Sequence, residues 1–304
     1  MNVALMGSVS SSWHTLDALI RGGVQITGVL GVDESQATRI SDYRSLRELA
    51  HDADIPFHPF VKVAESPVGA FLEEHVPDLL WVIGLSQLVP QGLIGIARVG
   101  GIGFHPTMLP EGRGRAPVAW TILRGARAAV NLFFLTDEPD AGDIVVQREV
   151  PVLPDDYSED LIRRTNLALA EVILELAPCL RRSDIPRTPQ DHSKATYYPR
   201  RTPADGVIDW SATTDQVYRL IRAAGRPYPG AFTHCRQRKL TVWRGKPAEA
   251  PEPTADARPG FVADVQEPSG ALVSTGDGAI WLTEVEVEGG SGGADLLEIG
   301  ARLS

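Results

Sequence analysis

The sequence predicts an α/β protein of two domains, a Rossmann-like, mostly parallel sheet followed by a smaller antiparallel β-barrel. Three observations carry this expectation. Apolar, β-branched runs alternate with helical patterns up to about residue 190, which calls for crossover connections and parallel strands. Beyond that point the style changes to several short strand-like runs at roughly ten-residue spacing, separated by turn residues. A length of 304 residues suits two domains. The expected boundary divides the chain into 1–190 and 191–304.

The elements follow in order. Asn2 to Met6 reads as a buried strand, and Thr15 to Ile20 as the body of a short helix. Val24 to Leu30 is a second strand, closed by Gly31, and "LLWVI", Leu79 to Ile83, is a third, ended by Gly84. Gly101 to Phe104 and Val130 to Leu135 are two more. "YRSLRELAHDA" and "PVAWTILRG" supply intervening helical patterns. Leu161 to Leu180 carries Leu161, Leu167, Val172, Ile173 and Leu176 at helical spacing, which predicts a long amphipathic helix. The stretch "RRSDIPRTPQDHSKATYYPRRTPADG", rich in proline and charge, reads as a linker. In "TTDQVYRLIRAA", Val217, Leu220, Ile221 and Ala224 share a helix face, and Thr213 and Gln216 have capping-box spacing. "AFTHC", "KLTVW", "GFVADV", "ALVSTG" and "AIWLTEVEV" are the short strands of the expected OB-like barrel, and "EGGSGGAD" reads as a flexible loop.

Composition excludes several classes. Apolar content of 43% supports packed cores, and no run approaches the roughly 18 apolar residues of a membrane span. The N-terminus lacks the basic start of a signal peptide, and Cys179 and Cys235 form no CxxC, so the expectation is a cytoplasmic protein with free thiols. A net charge of −10 disfavours a nucleic-acid partner, because a polyanion needs a positive patch. No histidine or cysteine pattern suggests a metal.

The chemistry gathers in "GIGFHPTMLPEGRGRAP". Open α/β sheets bind ligands beyond the carboxyl ends of their strands, and His105 stands where a strand gives out. Prolines 106, 110 and 117 stiffen the loop, while glycines 112 and 114 allow close approach of a ligand. Arg113 and Arg115 could clamp a carboxylate or phosphate. The next strand ends in "LTDEPDAGDIV", which crowds Asp137, Glu138, Asp140 and Asp143 together. A carboxylate beside an imidazole raises its pKa and orients it, as a general base requires. The acids lack the oxygen spacing of a calcium loop. From spacing alone, His105 is either such a base or a structural histidine in a turn.

"FHPTMLPEGRGRAPVAW" followed by "DAGDIVVQREVPV" resembles the folate-dependent formyltransferases, which pair an H-P-S/T-x-L-P loop with a downstream Asp-Ala/Thr-Gly turn. "ATYYPRRTPADGVIDWSATTDQVYRLIRAAGRPYPGAFT" and "KLTVW" are similar to the C-terminal domain of the methionyl-tRNA and amino-sugar members. The resemblance covers nearly the whole chain. It implies 10-formyltetrahydrofolate as formyl donor, with His105 as the catalytic histidine and Asp140 as its carboxylate. It places Gln87, Leu88 and Val89 along the pteridine pocket. Thr136, Asp137, Glu138 and Pro139, with Asp140, form the opposite wall, and Arg115 binds folate or acceptor.

One position departs from the family, which has asparagine two residues before the histidine, its amide on the formyl oxygen. Here it is Gly103. Three explanations compete: protonated His105 is the only donor, Asn131 reaches in from the adjoining strand, or the protein has lost transfer and kept only folate or nucleotide binding. For the acceptor, "RGRAPVAW" and "YYPRR" look more like the amino-sugar branch. The expected substrate is therefore a small-molecule amine, foremost a nucleotide-linked sugar, with Arg113, Arg200 and Arg201 on its phosphates and Trp13 stacked on a planar group. Transfer RNA and a hydroxylated amino acid of the siderophore-precursor kind are the alternatives. An exposed apolar face on the small domain would make a homodimer reasonable.

Overall fold

A strand buried on both faces must be apolar throughout, and Val3, Ala4, Leu5 and Met6 are wholly buried in β1 (Asn2–Gly7). In the computed structural model, α1 (Ser10–Arg21) and β2 (Gln25–Val32) follow, then α2 (Arg47–Asp52), β3 (Phe57–Phe60), α3 (Ser66–His75) and β4 (Leu79–Ile83). After α4 (Gln91–Ile94) come β5 (Gly100–His105), the two-residue β6 (Arg113–Gly114), α5 (Pro117–Arg124), β7 (Ala128–Phe134) and β8 (Ile144–Val150). The long α6 (Ser158–Arg182) leads to β9 (Tyr197–Tyr198), α7 (Thr214–Ala224) and β10 (Ala231–Cys235). The last strands are β11 (Arg238–Pro247), β12 (Val262–Gln266), β13 (Gly270–Ser274) and β14 (Ala279–Val287). The structure describes residues 1–248, 258–266, 269–289 and 297–304, so most of the expected loop "EGGSGGAD" lies outside the described residues.

The large sheet has the order β3-β2-β1-β4-β5-β7-β8. Pairing is parallel from β3 to β5 and antiparallel for β5–β7 and β7–β8. The strand order reverses between β1 and β4, the point where such sheets open a ligand crevice. Here the two ends are tied together. The Ser12 hydroxyl donates to the Ile83 carbonyl at 2.6 Å and accepts from the backbone N–H groups of Ser8 and Val9. A Cβ on Gly84, which has φ +60°, would fall 2.2 Å from the Val9 side chain. The amides of the β1–α1 turn are thus occupied, and the turn is no anion cradle of the dinucleotide-binding kind.

The chain forms two compact units, the first 1–117, 127–152 and 162–199, the second 118–126, 153–161 and 200–304. This differs from the expected split at 190. The segment read as a linker belongs to the first unit up to Pro199, because β9 pairs with β6. In the first unit, Ala4, Met6, Leu30, Val68, Leu72 and Leu80 form one core against α3. Burying each such Leu or Val contributes roughly 1.5–3 kcal/mol. Along α6, Val172, Ile173 and Leu176 are buried as expected, whereas Leu167 is half-exposed and belongs to the other face.

The second unit is built on a five-stranded antiparallel sheet of order β10-β11-β14-β13-β12. Inward residues alternate along the strands, with Leu240, Val242, Val273, Ile280 and Leu282 in its core. α7 lays Val217 and Ile221 onto that core, and its N-terminus carries the expected capping box: the Thr213 hydroxyl accepts from Gln216 N–H and the Gln216 side chain from Thr213 N–H. No helix among the described residues is long and apolar enough to cross a membrane.

Candidate active site

Alternation along β5 puts Gly101, Gly103 and His105 on one face of the sheet. The chain just after β7 continues the ladder beside β5 and lays side chains over that face. Leu135 N–H donates to the Gly101 carbonyl, and the Leu135 side chain would sit 2.8 Å from a Cβ on either Gly101 or Gly103. The two glycines make the seat for the Leu135 side chain, and five residues later the chain brings Asp140 to His105. This gives Gly103 a physical reason: a side chain there would collide with Leu135 and with Phe133, also at 2.8 Å.

His105 is buried, with Nε2 2.8 Å from the Gly112 carbonyl oxygen and Nδ1 3.6 Å from Asp140 Oδ2. The same carboxylate oxygen accepts from Gly114 N–H at 2.8 Å. One loop, 107–116, therefore holds both partners: Gly112 faces the imidazole and Gly114 faces the acid. Close packing dictates both glycines. With φ +73° and +106°, they pass 2.6 Å and 2.5 Å from Tyr198 at the point where a Cβ would stand.

Asn131, one of the three explanations offered for Gly103, has its amide committed to backbone. It is wholly buried, and its Nδ2 donates to the His105 carbonyl at 2.8 Å and to the Thr107 carbonyl. Its Oδ1 accepts from Gln147 Nε2, which also donates to the Leu109 carbonyl. Both amide hydrogens are engaged, so Asn131 and Gln147 fix the backbone of the His105 loop instead. Arg113 likewise is no substrate clamp. Wholly buried, its guanidinium donates to Glu138, Tyr197 and Gln190 and lies 3.2 Å from His192 Nδ1. The neighbouring Arg115 is exposed, and its backbone N–H bonds to Tyr198.

The expected folate residues divide in the same way. Leu88 is 81% exposed, whereas Val89 is buried in the core of the first unit. The Gln87 amide bridges Val63 N–H and the Val61 carbonyl, so its side chain pins the segment after β3 rather than standing free. Thr136, Asp137, Glu138 and Pro139 are exposed. The Thr136 hydroxyl donates to the Glu138 carbonyl. The Tyr197 hydroxyl, then the charges of Arg113 and His192, hold the Glu138 carboxyl below its ordinary range.

Trp13, expected to stack on a substrate group, carries the Arg44 guanidinium over one face of its ring at 3.5 Å. Arg200 is exposed, and Arg201, in the second unit, donates to the Asp205 carbonyl and lies 5.2 Å over Trp120. Burial lowers the Arg201 pKa, against the pull of Asp205. Among the described residues no group of His, Cys, Asp and Glu is arranged to hold a metal ion. Sequence reasoning missed Gln147, Gln190, His192 and Tyr197, the last three because the stretch that contains them looked like a linker.

Comparison with known proteins gives concordant matches. The family model described as "Formyl transferase" matches residues 1–176, and "Formyl transferase, C-terminal domain" matches 200–292. A methionyl-tRNA formyltransferase from Symbiobacterium thermophilum is 30% identical over 292 residues, covering 95% of this chain and 89% of that protein. Among solved structures, HypX from Aquifex aeolicus in complex with tetrahydrofolic acid superposes with a TM-score of 0.65 at 20% identity, over 93% of this chain and 43% of that one. The chain thus spans less than half of HypX. An N-formyltransferase from Helicobacter canadensis, solved with folinic acid and dTDP-3-aminofucose, gives 0.66 at 14% identity over 92% of this chain and 98% of that one.

Proposed function

Since the chain belongs to the formyl transferase family, we propose that it moves the formyl group of 10-formyltetrahydrofolate to the primary amine of a small molecule, foremost a nucleotide-linked amino sugar. The observation that carries the small acceptor is electrostatic. Residues 200–304 hold more Asp and Glu than Lys and Arg, and several of those cations are already paired. Arg226 bonds Glu284 at 2.8 Å, Arg236 bonds Glu298 at 3.0 Å, and Arg219 bonds Asp215 at 2.7 Å. A transfer-RNA acceptor would call for a free basic stripe. The relative from Helicobacter canadensis, solved with a nucleotide-linked amino sugar, supports the same reading.

The residues present suit the donor. An exposed leucine after β4, an exposed run of backbone after β7 and the exposed Arg115 offer an apolar contact, hydrogen-bonding groups and a cation. These match the ring, the pterin edge and the acidic tail of a folate. The bound donor supplies an activated formyl carbon. His105 removes the proton of the attacking amine. With Nε2–H donating to Gly112, the free lone pair lies on Nδ1, the nitrogen that faces Asp140. The imidazolium formed there is stabilised by the adjacent carboxylate and remains as the acid for the departing nitrogen. Gly103 offers no amide and both amide hydrogens of Asn131 are engaged, so the charge developing on the formyl oxygen is assigned to the Nδ1–H of the protonated imidazole, which at 3.6 Å from Asp140 is not committed to a hydrogen bond.

The test is amine-dependent release of tetrahydrofolate from 10-formyltetrahydrofolate, with a panel of nucleotide-linked amino sugars, hydroxylated amino acids and methionyl-tRNA. Turnover with an amino sugar and none with the tRNA is the expected result. The reverse would replace this acceptor. Folate binding without release for any amine would reduce the protein to a binding module.

A further inference from the structure

We infer that Gln190 is the positioning residue that holds Asp140 against His105; the inference rests on the reading of those two as the reacting pair. Gln190 is buried, and all of its amide is engaged. Nε2 donates to the Asp140 carbonyl at 2.8 Å and to the Gly142 carbonyl at 2.7 Å, while Oε1 accepts from Arg113 Nη2 at 2.9 Å.

Asp140 needs this support. It lies at φ +57°, in the left-handed region, which Asp tolerates better than most residues but only where hydrogen bonds hold the backbone. Two residues on, Gly142 presses so closely on β7 that a Cβ would stand 1.8 Å from the Phe134 carbonyl oxygen. Fixing the carbonyls of residues 140 and 142 fixes the peptide planes on both sides of the turn, and with them the direction of the Asp140 side chain. The carboxylate is then caught by Gly114 N–H, next in sequence to Arg113. The contacts close a ring: Arg113 to Gln190, Gln190 to the Asp140 backbone, the Asp140 carboxylate to Gly114, and Gly114 back to Arg113 through the chain.

The residue type is required. Two carbonyls and a guanidinium need two donors and one acceptor from a single neutral head group, which only an amide provides. A glutamate would satisfy Arg113 and oppose both carbonyls. Burial removes competing water, so each of these bonds has full directional force. The arginine is anchored in turn by Glu138, Tyr197 and His192, which is why the segment 190–197 returns to this loop.

The test uses Gln190→Glu, which keeps a partner for Arg113, and Gln190→Met, a neutral near-isostere. Each variant is checked by thermal melting before kinetics. The expected result is a kcat about 10- to 100-fold lower, with KM for donor and amine within about twofold of the parent, because the pair is misaligned and the binding surfaces are untouched. In an Asp140→Asn background the same Gln190 substitutions should cost less than about twofold in kcat, since what they position is gone. In 15N-histidine-labelled protein, the His105 ring resonances, identified by their loss in His105→Gln, should move in Gln190→Met in the direction they move in Asp140→Asn. An unchanged kcat, or an equal loss of kcat with and without the Asp140 carboxylate, would overturn the inference. If Asp140→Asn itself leaves kcat unchanged, the pair is not the reacting pair, and the reading beneath the inference fails.

Discussion

The two arginines of "RGR" show how little a residue type says without its burial. Arg113 is sealed between four partners, whereas Arg115 points its charge at solvent. Arg113→Ala should therefore leave the buried Gln190 oxygen without its donor and cost about 1–3 kcal/mol in chemical denaturation. Arg115→Ala should melt like the parent and raise KM for folate or acceptor about tenfold, the cost of one hydrogen bond to a charged group. Asn131 makes a third case. Its truncation to Ala strips two buried carbonyls of a donor, which predicts a stability loss of about 1–3 kcal/mol. Unaltered stability in urea would show that the amide does not hold the loop. At this scale a histidine at a strand end and a cluster of acids before a glycine are local signals in the sequence, and the family resemblance is what singles out Asp140 among the four acids. The sequence does not reveal that Asn131 faces backbone rather than ligand, since that depends on which of two strand faces the loop crosses.

Elements were legible where burial is on both sides. β1, β4 and β7 are apolar runs with no polar interruption except Asn131, and the structure places them within two or three residues of expectation. β3 has a proline in "FHPF", and β8 has three consecutive polar residues, Gln147, Arg148 and Glu149, in "IVVQREV", so neither read as a strand. α3 opens on proline and contains a glycine, which masks its pattern. The segment 183–199 was misread for another reason. Its proline and charge mimic a linker, yet its hydrogen bonds run to the loop after His105: Arg113 N–H to the Thr196 carbonyl, and Gly112 N–H to the Thr196 hydroxyl. Two element-level predictions follow from close contacts and caps. Gly142→Ala should abolish the soluble fold of the first unit, because its Cβ has nowhere to go but into the Phe134 carbonyl. A well-folded Gly142→Ala protein would contradict this placement of the turn. Thr213→Ala should cost only about 1 kcal/mol, the usual value of an N-cap.

At the scale of the whole molecule, the net charge of −10 and the paired cations of the second unit argue for a small acceptor over a polyanion. Turnover of such a substrate should change modestly between low and moderate salt, in contrast to the steep salt dependence of nucleic-acid binding. The central claim is that the imidazole at the end of β5 moves the protons of formyl transfer beside the Asp140 carboxylate. Its most direct test is the rate of amine-dependent tetrahydrofolate release by His105→Gln, with 10-formyltetrahydrofolate binding measured in parallel. The account predicts a fall of about 10²–10⁴-fold in kcat with donor affinity retained. A His105→Gln enzyme that turns over at the parental rate would contradict it.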